Sequence, residues 1–200
     1  FGHVLMVLTT GGFNNMRSMI SGRYTEKVPA PAEPPEVVTI SLPPVEAPPA
    51  GEAAPLITRP SDASLQNTIN IEGATYLTIQ GLEISGNGDG IEFYGAGHHL
   101  NIEDNHIHHV DVGLNFRSSM HHIVVRRNHI HDMGNDGGTG EAMYVGCNYA
   151  ACAVSESIIE ENWIHDNPNA SQGDGIEIKA GSHSNIIRNN VIYNTNWPCI

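Results

Sequence analysis

The chain has 200 residues, 40% of them hydrophobic and 6% aromatic, and a net charge of −13. That acid excess excludes a nucleic-acid binder, which needs a basic stripe, and disfavours an anionic membrane surface. The longest apolar run near the start, Val4 to Leu8, is too short for membrane insertion and lacks the charged flank and cleavage site of a signal peptide.

Residues 1–27 hold a strand-like Val4–Val7 and a turn at Thr10-Gly11-Gly12. Ten of the twelve prolines fall between residues 29 and 60. Proline fixes its own φ and donates no ladder hydrogen bond, so this part is expected to be irregular, with at most short strands at 37–41 and 56–58. Segment 1–68 is either a linker or a loosely packed first coil over a solenoid end, and the apolar patches between the prolines favour the coil. The sequence opens on Phe1 and stops at Trp197-Pro198-Cys199-Ile200, where another strand is due. It reads as a fragment or an open-ended solenoid.

From Ile69 onward one unit repeats. Apolar triplets start at Leu77, Leu100, Ile123, Ser157 and Asn185, spaced by 23, 23, 34 and 28 residues. Each is followed by a polar turn and a second triplet, at 82–84, 106–108, 129–131, 163–165 and 191–193. A third strand begins after glycine: Gly90-Ile91-Glu92-Phe93-Tyr94, Gly113-Leu114-Asn115-Phe116-Arg117 and Gly175-Ile176-Glu177-Ile178-Lys179, with Glu141 to Val145 aligned less closely. Alternation of apolar residues gives each strand one inward face, and helical periodicity is absent. A period in the low twenties built from short strands is that of a solenoid, which buries a core that no single coil could form.

The pattern resembles the right-handed parallel β-helix repeats of the pectate-lyase-like superfamily. That resemblance covers 69–200 well and 1–68 weakly, and implies an all-β right-handed parallel β-helix of about five coils. It also implies an inward Asn column at one corner, which Asn105, Asn128, Asn162 and Asn190 supply, with Leu82 in the first coil. Right-handedness agrees with the general preference for right-handed crossovers.

Stacking turns the sequence into columns. Gln80, Glu103, Arg126, Glu160 and Arg188 alternate in sign at one-coil spacing, which reads as a structural ion-pair ladder. His108, His131 and His165, followed by Tyr193, form an outward column. His131 and His165 are candidates for substrate contact. Imidazoles in line also suit zinc or copper, but a flat column closes poorly around a tetrahedral ion, so stacked surface residues are the simpler account. Cys147 and Cys152 flank one short loop and are either a local disulfide, if the chain is exported, or two free thiols.

The glycine-led strand is the informative one. Its outward positions are read as Asn70, Glu92, Asn115, Met143 and Glu177, with Glu72, Tyr94, Arg117, Val145 and Lys179 two residues further on. Loops beside it lengthen together: seven positions separate Ile84 from Ile91, against twelve from Ile130 to Ala142. Nine separate Leu114 from Ile123, against fifteen from Ala142 to Ser157. Such loops wall a groove, and grooves on rigid scaffolds are where sites occur. Tyr94, Asn115 and Glu92 are the candidate substrate-binding groups within it. Glu141, Asp174 and Glu177, with Asp111 and Asp136 nearby, are oxygen ligands that suit Ca²⁺. Arg117 and Lys179 are cations able to neutralise a uronate carboxylate, and Lys179 is also the candidate base.

Gly140-Glu141-Ala142 and the acidic strand ending in Lys179 are similar to the chondroitinase B and alginate lyase family, which implies β-elimination from a uronate-containing glycan. The expected partner is an acidic polysaccharide, without nucleic acid or membrane insertion, and the expected location is secreted or periplasmic. A glycoside hydrolase using Glu141 with Asp174 or Glu177, a uronate epimerase, a non-catalytic surface, adhesin or spike module, and a periplasmic metal-handling β-helix remain alternatives, because fold alone does not choose.

Overall fold

A computed structural model describes residues 53–59, 66–135, 137–149, 152–167 and 170–200, all within the compact unit spanning 46–200. The strands expected at 4–7 and 37–41 and the carboxylate of Asp136 lie outside these residues. The described chain is all β, with parallel strands only, as the repeat predicts.

After β1 (Leu56–Thr58), the chain repeats a three-strand turn. The first turn is β2 (Ile69–Glu72), β3 (Thr75–Gln80) and β4 (Glu83–Ser85). The second is β5 (Ile91–Tyr94), β6 (Gly97–Glu103) and β7 (His106–His108), and the third β8 (Leu114–Phe116), β9 (Met120–Arg126) and β10 (His129–His131). The fourth holds β11 (Met143–Val145), a short β12 (Val154–Ser155), β13 (Ile158–Glu160) and β14 (Trp163–Asn167). The fifth is β15 (Ile176–Ile178), β16 (Ile186–Arg188) and β17 (Val191–Thr195). Like strands stack into three sheets: A (β1-β4-β7-β10-β14-β17), B (β2-β5-β8-β11-β15) and C (β3-β6-β9-β13-β16), with β12 also on β9.

Each sheet sends one apolar column inward. Ile84, Ile107, Ile130 and Ile164 of sheet A are fully buried, facing Ile91, Phe93, Leu114 and Phe116 of sheet B and Leu100, Ile102, Ile123 and Val125 of sheet C. The Phe93 and Phe116 rings stack 4.6 Å apart. Fully burying one such side chain is worth about 1.5–3 kcal/mol, and only stacking in register provides that burial.

The corner from sheet C to sheet A carries the predicted Asn column. Asn105 Nδ2 donates to Asn128 Oδ1, Asn128 Nδ2 to Asn162 Oδ1 and Asn162 Nδ2 to Asn190 Oδ1, at 2.9–3.0 Å. Leu82 caps the column by donating its backbone N–H to Asn105 Oδ1. At the residue before each Asn, Asp104, Arg127, Glu161 and Asn189 adopt left-handed backbone with φ between 54 and 57°. His109 and Asp132, just past β7 and β10, and Asp166 and Asn194, near the ends of β14 and β17, are left-handed too, with φ between 51 and 56°. A single left-handed residue turns the chain sharply without lengthening the coil. Its cost of about 1–2 kcal/mol is offset by the hydrogen bonds the turn permits.

The predicted charge ladder also forms. Glu103 pairs with Arg126 (3.6 Å), Arg126 with Glu160 (4.0 Å) and Glu160 with Arg188 (2.8 Å). Arg127 adds a bond to Asp104 at 2.7 Å.

Candidate functional site

Sheet B holds the groove, with one change in alignment. Met143 pairs with Leu114 and Ile176, and Val145 with Phe116 and Ile178. Met143 and Val145 are therefore buried core residues rather than outward ones. Tyr144 takes the outward place between Asn115 and Glu177. The reason is that strand β11 begins one residue later than the alignment of Glu141 to Val145 with the glycine-led strands puts it, and a one-residue slip exchanges the two faces of a strand. Ala142 fills the place held by Gly113 and Gly175, so the residues before them, Glu141 and Asp174, become neighbours in one column: the Ala142 N–H donates to the Asp174 carbonyl at 2.9 Å.

A cavity of about 250 Å³ opens over this sheet. Asn115, Arg117, Tyr144 and Lys179 line it from the sheet side, Asp89, Asp111, Thr139, Glu141 and Gln172 from the loops entering sheet B, and Asn148 from the loop leaving it. Cys147 and Cys152 of that last loop form a disulfide, their Cα atoms 5.3 Å apart. The Gln172 N–H donates to the Thr139 carbonyl at 2.9 Å, tying the two long entering loops together. The lengthened loops do border this sheet.

The three expected cation ligands come together. One oxygen each of Glu141, Asp174 and Glu177 lies within 4.8 Å of the others. Glu141 Oε1, Asp174 Oδ2 and Glu177 Oε2 are all buried with no hydrogen-bond partner. Buried oxygens without donors are costly, and three converging ones suit a hard cation. Burial raises the Glu141 carboxyl pKa against the lowering effect of the Thr139 hydroxyl that donates to it, and nearby Glu177 adds to the rise. Asp174 is raised by burial and by the charge of Glu177. These are groups whose charged forms call for a countercharge.

Lys179 supplies part of it. Its ammonium donates to Glu177 and sits 4.2 Å from the centre of the Tyr144 ring. Burial pulls the Lys179 pKa down, but the hydrogen bond and charge of Glu177 outweigh it, so the pKa is raised and the group is held as a cation. Arg117 pairs with Glu92 at 3.3 Å while remaining half exposed. Asn115 donates to Asp89 at 2.6 Å, and burial raises the pKa of that carboxyl.

The other expected contacts divide. Glu92 is buried and engaged by Arg117 and Asn67, and Tyr94 is exposed beside it, its pKa pushed up to about 12 chiefly by its hydrogen bond to Glu92. Neither lines the cavity. His131 and His165 lie in strands of sheet A, not in the sheet B groove. Sequence reasoning missed Tyr144, hidden by the slip, and Thr139 and Gln172, which lie in loops without repeat. A wider depression of about 430 Å³ over sheet C is bordered by Tyr76, His99, His122 and Glu156, but no cation of lysine or arginine type and no buried carboxylate lines it.

No curated protein and no solved structure matches the chain. The family model described as "Right handed beta helix region" matches residues 67–200. Those residues carry the stacked parallel strands of all three sheets apart from β1. The chain therefore belongs to the right-handed β-helix family.

Proposed function

We propose that the groove over sheet B binds an acidic polysaccharide and cleaves it by β-elimination at a uronate. The observation that carries this reading is that Arg117, Lys179 and Glu141 line one loop-walled groove, and that Glu141 converges with Asp174 and Glu177 on buried oxygens that lack partners. The likeness of Gly140-Glu141-Ala142 and the strand ending in Lys179 to the chondroitinase B and alginate lyase family supports it further.

In such a reaction a base removes the proton at C5, its electrons form the C4–C5 double bond, and the C4 oxygen leaves with a proton from an acid. Arg117, exposed at one side of the groove, binds the uronate carboxylate. Asn115 and Tyr144, paired neighbours on the sheet side of the groove, orient the ring. Lys179 takes the C5 proton in its neutral form, so it must first part from Glu177, whose charge holds it as a cation, and release its own proton to solvent. Glu141, Asp174 and Glu177 would hold Ca²⁺, which when bound offsets the uronate charge and acidifies C5. In a chain with net charge −13, a cation here also makes an anionic glycan acceptable. A polysaccharide substrate and the Cys147–Cys152 bridge favour a secreted or periplasmic location.

Incubation with alginate, pectate and chondroitin, with and without Ca²⁺, tests the reaction through absorbance of unsaturated uronate ends. The expected result is Ca²⁺-dependent turnover that drops about 10²- to 10⁴-fold in Lys179→Ala. The Lys179–Glu177 pair itself favours a second reading, a groove that binds acidic glycan without cleaving it. Retention on immobilised polymer with no turnover on any of the three identifies that case.

A further inference from the structure

Sheet A carries chemistry that the groove does not use. Both histidines of each His-x-His triplet face outward, so the expected column has a twin. His108, His131 and His165 stack at 5.1–5.4 Å, ending on Tyr193. Beside them His106 stacks on His129 at 4.7 Å and His129 on Trp163 at 4.2 Å. The two columns are linked diagonally: His106 Nε2 meets His131 Nε2 at 2.7 Å, and His129 Nε2 meets His165 Nε2 at 2.8 Å.

The column of His108, His131 and His165, flat on its own, is therefore one half of a double one. A ring nitrogen each of His106, His129 and His131 lies within 4.8 Å of the others, drawn from two coils and both columns. The outer ring atoms are fixed as well. His131 Nδ1 lies 2.7 Å from Asp132 Oδ2, and His165 Nδ1 lies 2.9 Å from Asp166 Oδ2. A carboxylate at Nδ1 holds the proton there and leaves the Nε2 lone pair free, the arrangement by which outer carboxylates prepare imidazole ligands for metals. The Nε2 atom of His131 thus points its lone pair at His106.

We infer that His106, His129 and His131 on sheet A form a binding site for a divalent transition-metal ion of the zinc, copper or nickel class, with Asp132 positioning His131. Imidazole selects these metals over Ca²⁺ or Mg²⁺, which take oxygen ligands. A tetrahedral zinc ion with bonds of about 2.0–2.1 Å sets its ligands about 3.3 Å apart, so small ring rotations convert the present contacts into a coordination set. Three protein ligands leave the fourth position to water or an exogenous group. The cluster of Glu83, His106 and His108 shares His106, so one ion at a time occupies this end of the sheet.

The test uses the whole chain after chelator treatment, titrated at neutral pH with Zn²⁺ by calorimetry and with Co²⁺ by visible d–d absorption. We expect one equivalent bound, tetrahedral-type Co²⁺ bands displaced by Zn²⁺ and undisturbed by excess Ca²⁺. The double variant His106→Ala/His131→Ala should abolish binding, and Asp132→Asn should weaken it about 10- to 100-fold. His121→Ala/His122→Ala, which removes the histidines beside Glu156, should leave it unchanged. The proposal is overturned if the unsubstituted chain binds no Zn²⁺ and gives no such Co²⁺ bands, if binding survives the first double variant, or if it disappears with the second. Should His106→Ala/His131→Ala fail to fold, Asp132→Asn decides: undiminished affinity there overturns the assignment.

Discussion

Asn128 shows how a single side chain keeps two coils in step. Its amide oxygen accepts from both the backbone N–H and the Nδ2 of Asn105, while its own Nδ2 reaches the Ile102 carbonyl and Asn162 Oδ1. Leu82 occupies the same place one turn below the column, and Asn128→Leu removes the hydrogen bonds that hold the column together. Stranding buried donors and acceptors costs about 1–3 kcal/mol per group. Asn128→Leu should lower the unfolding free energy by at least that much in urea denaturation. This column was legible beforehand because the same residue type recurs at one offset from each triplet. Tyr144 was not, since nothing at residue level distinguishes an outward Tyr from an inward Met in the run Ala142-Met143-Tyr144-Val145. Only the pairing of β11 with its neighbours decides it.

At the scale of elements, strands and loops were legible to different degrees for one physical reason. Strands repeat because each stacks on the last, so their sequence is constrained in columns. Loops touch fewer partners and their contacts are individual. The lengthening beside sheet B was visible in residue counts, but the Gln172-to-Thr139 bond was not, because no repeat encodes it. The second histidine column had a signal in the outward face of each His-x-His triplet, where the first His shares the face of the last. After β11 the Cys147–Cys152 disulfide closes a short loop, and Asn148 within it lines the groove. Replacing both cysteines by serine should cost about 2 kcal/mol by loop-closure entropy, read as a lower melting temperature. Affinity of the groove for acidic polymer should fall as well, while far-ultraviolet circular dichroism keeps its β signature.

The described coils behave as a stack whose stability is the sum of neighbouring coil contacts, and their acid response follows from the histidine face. Burial, reinforced by the positive charges that His131, His106 and His165 would carry, lowers the His129 pKa to about 4, from an ordinary 6.5. His106 is lowered too, by burial foremost and then by the charges His108 and His131 would carry. Between those pH values the unfolded chain binds the proton that the folded chain refuses, so stability rises with pH across that window and is lost as pH falls from about 6.5 towards 4. Trp163 stacks on one face of His129 and carries no charge to offset this. Thermal melts of chelator-treated protein should therefore shift downward through this range, and His129→Asn should flatten the shift.

The amide column spans 23 residues between its first two members, 34 between the next two and 28 between the last, with no break in bonding. The interior is therefore indifferent to how much chain is spent on the way round. New sequence can be spliced into the borders of sheet B, and the rim of the groove rebuilt, while the stack beneath stays as it is. Ligand preference and scaffold integrity can change separately in this protein, one turn at a time.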